Sequence, residues 1–189
     1  MAILSGEKIE KDAVEMAASM MAASARTAPK ARGVDSIKTL VLTGEHLEEL
    51  ASAMEKKVKE KSPELAFFKR DADNVRASAA ILLIGVTGNP KKPELPLNCG
   101  ACGYGTCKDL MAASKKQGQD FTGPGCVFQA IDLGIALGAA VKLAGELNID
   151  NRIMYSIGAA AKKLGLLDSD VIMGIPLSAT GKNPYFDRP

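Results

Sequence analysis

Residues 77–86 read ASAAILLIGV and open a stretch, Ala77 to Pro90, that carries no charge over 14 residues. Within it Ser78 to Val86, rich in Leu and Ile and closed by Thr87, Gly88, Asn89 and Pro90, fits a strand covered on both faces, because a strand with one wet face alternates apolar and polar residues. It is shorter than the ~18 residues that mark a membrane-crossing helix. The run is therefore placed at the centre of a sheet. Upstream, Ile37 to Thr43 reads as a second strand, followed by a helix with Leu47, Leu50, Ala51, Met54 and Val58 on one face. The lysine-rich end of that helix, Lys56 to Lys61, suits the negative end of the helix dipole and is expected to be solvated; Pro63 stops it. Residues 6–26, capped by Ser5, set Ile9, Ala13, Met16, Met20 and Ala23 at alternating spacings of four and three, an amphipathic stripe expected to pack on the core. Downstream come a small-residue helix from Val127 to about Leu147, a second helix around Arg152 to Leu164, and a last strand, Val171 to Pro176. The tail SATGKNPYFDRP is expected to lie across a surface. Strands and helices in this order define an α+β domain.

Four cysteines carry the chemistry. Cys99, Cys102 and Cys107 are spaced C-x2-C-x4-C within NCGACGYGTC, and Cys126 follows alone in GPGCVFQ. Four thiolates without a nearby histidine or carboxylate leave two contenders, a zinc ion held by all four sulfurs and a cubane iron–sulfur cluster. Structural zinc usually takes two C-x2-C knuckles, whereas three ligands from one glycine-rich loop plus a distant fourth favour [4Fe–4S]. Gly100, Gly103 and Gly105 let the backbone curl around a bulky anionic group and turn amides toward its sulfurs. Cys126, after Pro124 and Gly125, opens a helix whose positive end favours a thiolate. A zinc-stapled interaction module stays open as the alternative, and so do four unligated thiols.

Composition narrows the remaining classes. Of 189 residues, 47% are hydrophobic, enough for one core, and 24 Lys and Arg balance 22 Asp and Glu for a net charge of +2. Neither the charge nor the 4% aromatic content supports nucleic-acid binding. Glu7, Lys8, Glu10, Lys11 and Asp12 crowd the amino end where a secretory signal would be apolar, so the expectation is a cytoplasmic protein with no membrane partner. In a reducing compartment the cysteines favour a metal or redox role over disulfides. His46 is the single histidine, so a nucleophile–histidine pair would have to use it. Neither a G-x-G-x-x-G nor a phosphate-loop motif occurs. Glu48 with Glu49, and Asp168 with Asp170, read as solubilising pairs.

The segment Asn98 to Phe128 resembles the four-cysteine iron–sulfur domain of electron-transport complex subunits and corrinoid iron–sulfur proteins. That resemblance implies one [4Fe–4S] cluster on Cys99, Cys102, Cys107 and Cys126, and electron transfer with a redox partner protein. The rest resembles the nitroreductase-like flavoproteins, through Ala28-Pro29 before a glycine and a strand, the helices Leu47 to Met54 and Gln129 to Leu147, and Met173-Gly174-Ile175-Pro176 near the end. It implies a nitroreductase-like mixed sheet flanked by helices, a homodimer, and FMN at the subunit interface, with electrons from the cluster reducing a small substrate. Arg26, Lys30, Arg32 and Arg188, with Lys182, are the cations this resemblance offers to a flavin phosphate, although the family's amino-terminal arginine–serine pair has no counterpart here. The whole chain is also similar to an uncharacterised family of ferredoxin-domain proteins. The division implied is a core of 1–90 and 127–189 carrying a cysteine-rich iron–sulfur insert, 91–126.

Overall fold

A computed structural model describes residues 3–61 and 65–186. Four strands form one sheet in the order β1 (Ile37–Thr43), β2 (Ala80–Val86), β6 (Val171–Ser178) and β5 (Asp150–Asn151), and every pairing is antiparallel. The sheet anticipated as mixed is therefore antiparallel throughout the described residues. As its sequence requires, β2 is central and buried along its whole length. Its pleat splits the core in two. Leu82, Ile84 and Val86 join one layer, whereas Ile81 and Leu83 join the other. Each such side chain, fully buried, contributes about 1.5–3 kcal/mol.

The first layer holds α1 (Gly6–Thr27) and α5 (Val127–Glu146), packed through Ala17, Ala18, Met21 and Ala25 on one helix and Leu133, Ala136, Leu137 and Ala140 on the other. Small side chains let the two helices approach closely. The second layer holds α2 (Glu45–Lys61), α3 (Phe67–Arg76) and α6 (Tyr155–Lys163), with Leu50, Met54, Phe68, Val75 and Ile157 at its centre. α6 lies hard against β6: a Cβ on Gly158 would stand 1.8 Å from the Ile172 carbonyl oxygen, and one on Gly174 would stand 2.0 Å from Ile157 Cγ2. Arg76 braces α3 to α2 by a two-pronged contact with Glu48 at 2.8 and 2.9 Å, and this partner holds the Glu48 carboxyl down to about 2.

Between β2 and α5 the chain leaves the sheet, forming the short helix α4 (Cys107–Ala112) and a small hairpin, β3 (Lys116–Gln117) with β4 (Thr122–Gly123). By length and composition α5 is one helix among the described residues able to cross a membrane. Here Ala136, Ala140 and Ala144 of α5 are fully buried in the first layer, as in a core helix.

Four details correct the sequence reading. Ser5 does cap α1, its Oγ accepting from the Lys8 amide at 3.3 Å, but the stripe of Ile9, Met16 and Met20 faces outward, with Met16 66% exposed. The buried residues of α1 are Val14, Ala17, Ala18, Met21 and Ala25, so three alanines, one valine and one methionine form the core-facing side. In the lysine run, Lys57 is not solvated: it is 2% exposed and its Nζ stands 2.6 Å from Asp120 Oδ1 of the hairpin. The tail is anchored more deeply than a surface crossing, since Tyr185 is buried with its hydroxyl 2.8 Å from Ser78 Oγ. Asp170 is no solubilising carboxylate but a structural latch, described below. Pro63 lies outside the described residues.

Candidate metal centre

All four cysteines line a single small pocket, together with Asn98, Tyr104, Thr106 and Leu110. Cys99 is exposed and the other three are half-buried, all as free thiols. Two separate stretches of chain thus meet at one place. Among the described residues no group of three His, Cys, Asp or Glu side chains has converged to metal-ligand spacing. The thiols share the cavity rather than closing on a point.

The first stretch is shaped locally. Gly100 and Gly103 adopt left-handed backbone with φ of 75° and 86°, and the Gly103 amide donates to the Gly100 carbonyl at 2.9 Å, a tight turn that folds Cys99 and Cys102 onto one side. Asn98 is also left-handed, at φ 47°, and its Oδ1 accepts from the Cys107 amide at 2.9 Å. Thr106 caps α4 in a reciprocal box with Asp109, fixing Cys107 as the first helical residue. Asparagine next to the first cysteine, a residue that tolerates left-handed backbone and bonds nearby amides, was the sequence signal for this clamp.

The second stretch is pinned to the sheet. The Cys126 amide donates to the Gly88 carbonyl at 2.8 Å, just beyond β2. Gly88 and Gly125 touch so closely that a Cβ on Gly88 would stand 2.9 Å from the Gly125 Cα. Asp170, at the start of β6, accepts from the Gly88 amide at 2.6 Å and binds Lys115. One carboxylate thus ties the end of the central strand, the start of the hairpin and the loop of Cys126 together. Nothing in the local sequence marked it, because the contact joins positions 55 and 82 residues apart.

A buried polar node lies under the same loop. Lys91, 2% exposed in its side chain, stands 2.6 Å from Asp132 Oδ2 of α5, off the ideal hydrogen-bond direction, and donates to the Val34 carbonyl at 2.6 Å. Asp132 Oδ1 accepts from the Ala31 amide at 2.9 Å, and Gln129 Nε2 donates to the Asn89 carbonyl at 2.6 Å. Such a pair is no strong source of stability, but removal of either partner strands a buried charge.

The cations offered to a flavin phosphate are engaged within the chain. Arg26 pairs with Asp35 at 2.7 Å and donates to the Ile37 carbonyl. Lys30 donates to the carbonyls of Ala25 and Arg26 at the end of α1, and Arg32 donates to the Leu95 carbonyl. Arg26 and Lys30 meet at Asp35, with Lys30 Nζ 3.9 Å from its Oδ1. Arg188 lies outside the described residues. His46 sits exposed beside Glu49, away from the cysteines.

A three-layered sheet-and-helix domain that holds a four-cysteine pocket beyond the end of its central strand has clear relatives by shape. A mutant of NfnB, an FMN and NADPH-dependent nitroreductase derived from sphigopyxis sp. strain HMH, aligns with a TM-score of 0.57 at 12% identity over 93% of this chain and 83% of that one. A BluB-like flavoprotein from Clostridium difficile 630 aligns at 0.55 and 16% identity over 100% of this chain and 85% of its own. Nitroreductase A from Vibrio parahaemolyticus aligns at 0.51 and 11% identity over 93% of this chain, which spans only 62% of that protein. The fold is nitroreductase-like.

In sequence, an uncharacterized protein of Archaeoglobus fulgidus is 50% identical over 186 residues, 98% of this chain and 97% of its own. Residues 122–188 match the family described as "Uncharacterized protein containing a ferredoxin domain (DUF2148)". The chain belongs to that family. The matched stretch includes Cys126 and begins after the other three cysteines.

Proposed function

We propose that the protein binds one [4Fe–4S] cluster through Cys99, Cys102, Cys107 and Cys126 and serves in electron transfer, with 91–126 as the cluster-carrying insert on a core of 1–90 and 127–189. The observation that carries this reading is the meeting of all four cysteines at one pocket whose described lining holds no His, Asp or Glu. The residues fit the group: soft thiolates in the 3+1 pattern, left-handed glycines that leave room beside the loop, and the positive end of a 20-residue helix next to Cys126. The cluster would supply one-electron chemistry. The protein's part is to hold it, through the Asn98 and Thr106 clamps on one side and the Gly88–Asp170 latch on the other, and to set its potential by amide contacts and burial. Anaerobic purification with metal and sulfide analysis tests this: about four irons per chain support it, whereas zinc in their place returns the protein to the interaction-module reading.

A second reading follows from the fold, a flavin-dependent oxidoreductase fed by the cluster, as a homodimer in the cytoplasm. The exposed faces of α1 and α5 favour the dimer: Ile9, Met16 and Met20 on one, Ile131 and Ile135 on the other, lie on two helices that pack side by side. A second copy laid across them would bury both. Yellow chromophore released on denaturation supports flavin binding; protein that ignores added FMN removes it.

A further inference from the structure

We infer that Lys91 and Asp132 form a positioning pair, which sets the loop of Cys99, Cys102 and Cys107 in register with the helix that Cys126 opens. The inference rests on the [4Fe–4S] reading. Between the end of β2 at Val86 and the start of α4 at Cys107 the chain forms no helix or strand, so separate contacts must fix where the cysteine loop stands. Three of them run in order. The Gly88 carbonyl meets the Cys126 amide at 2.8 Å, the Asn89 carbonyl meets Gln129 Nε2 at 2.6 Å, and Lys91 Nζ meets Asp132 Oδ2 at 2.6 Å. Cys126, Gln129 and Asp132 are each three residues from the next, hence neighbours in turn along α5. The segment 88–91 is stapled to that row.

Lys91 is the last anchor before the cysteines. It is buried, whereas every residue from Lys92 to Gly100 is exposed. A lysine at the root of a loop has water close by, and withdrawing its charge and that of Asp132 from solvent is costly, so fold stability alone does not account for the pair. What the pair supplies is direction. Lys91 also donates to the Val34 carbonyl at 2.6 Å and to Ser36 Oγ at 3.3 Å, and Asp132 Oδ1 accepts from the Ala31 amide at 2.9 Å. Both side chains are therefore gripped from a third segment, 31–36, and neither slides along the other without breaking these bonds. Setting register is the best-attested use of such buried charges. Among the described residues the thiols share a pocket without having closed to metal-ligand spacing. With its root fixed, the exposed run from Lys92 to Gly100 is the part left to bring Cys99 onto the cluster.

The test uses the iron-loaded full-length protein, its iron released anaerobically to a ferrous-iron chelator. Each variant is held the same number of degrees below its own melting temperature. Lys91→Met with Asp132→Leu strands no charge, and replacing a buried pair by apolar side chains of similar size leaves a fold about as stable as before. The expected result is a melting temperature near the parent's with iron release at least ~10-fold faster, the scale of loss seen when partners behind metal ligands are removed. The electron paramagnetic resonance lines of the dithionite-reduced cluster should also broaden, because the thiolates no longer meet in one geometry. Leu137→Ala is the reference, a buried change in α5 about 16 Å beyond Cys126 at 1.5 Å per residue; it should release iron at the parent rate and keep the parent line shape. A double variant with parent release and parent lines overturns the positioning role and leaves the cluster reading standing. Should the double variant melt lower, release no faster than that of Leu137→Ala overturns it equally. Parent protein that takes up no iron under reconstitution removes cluster and positioning pair together, and metal analysis shows that before any variant is compared.

Discussion

Cys126 gives its amide to the carbonyl of Gly88 at 2.8 Å, so the fourth candidate ligand hangs directly from the end of the central strand. The other three ride on a loop organised by its own turns. A pocket built half from the core and half from a clamp of local hydrogen bonds separates stability from occupancy, and the two can be measured apart.

Asp170→Ala tests the core half. It leaves the Gly88 amide without its carboxylate and frees Lys115, a loss of about 1–3 kcal/mol, expected to lower Tm by about 3–10 °C. Iron content falls with it, because the loop of Cys126 loses its latch. Asp170→Asn keeps an acceptor for the amide and restores much of the occupancy. Full iron loading in Asp170→Ala would show that the latch serves the fold alone.

Cys102→Ser tests the clamp half. It removes one thiolate from a loop that contributes no strand to the sheet, so iron content drops sharply while far-ultraviolet circular dichroism keeps the helical signal of the two packed layers. Collapse of the helical signal along with the iron would mean that metal and fold form one cooperative unit.

The exposed stripe on α1 predicts an assembly defect. Met16→Glu with Met20→Glu places two charges where a second copy would pack. Sedimentation equilibrium should show a dimer for the parent and a monomer for the variant. Since both methionines face solvent in the single chain, monomer stability should change by less than about 0.5 kcal/mol. A parent that sediments as a monomer would dispose of the interface.

The same stripe shows what the sequence conceals. Hydrophobic periodicity located α1 and its cap, yet it could not say which apolar face meets the core, because alanines packed at helix–helix distance leave a weaker signal than methionines left outside. β1, β2, α5 and β6 were legible to within two residues, since continuous apolar runs and helical spacing are local properties. α3 was missed between a proline stop and an obvious strand: Phe68, Ala72 and Val75 mark its buried side in a helix with five charged residues. For the site, cysteine spacing foretold a shared pocket. The contacts that position it, Asp170 to Gly88, Lys91 to Asp132 and Lys57 to Asp120, join distant segments and have no short-range signature.

Gly158→Ala examines the contact on which the second layer depends. Alanine is better than glycine in a helix by about 1 kcal/mol, but the added Cβ would enter the Ile172 carbonyl at 1.8 Å. Backbone cannot yield as a flexible side chain does, so the steric cost wins, at or beyond the upper end of the usual ~1–3 kcal/mol for overpacking. Urea denaturation should show the midpoint falling, and a midpoint at or above the parent value would mean that α6 slides on β6 freely.

Alkaline pH reaches the hairpin through Tyr155. Burial first, and then its hydrogen bond to the Asp120 carboxylate, push the phenol from 10.0 up to about 12. Its protonated form is therefore favoured in the folded protein. Below pH 10 both folded and unfolded chains hold the proton and the contribution is complete; from 10 to about 12 the unfolded chain releases it first, so stability declines as pH rises. Tyr155→Phe should be less stable than the parent at neutral pH, where Asp120 loses a donor, and should show a shallower decline across that alkaline window. Tyr185, also raised by burial, is common to both proteins and leaves the difference intact. Urea midpoints taken at graded pH decide the matter: parallel curves through the window would mean that the Tyr155 phenol is not held by Asp120 in solution.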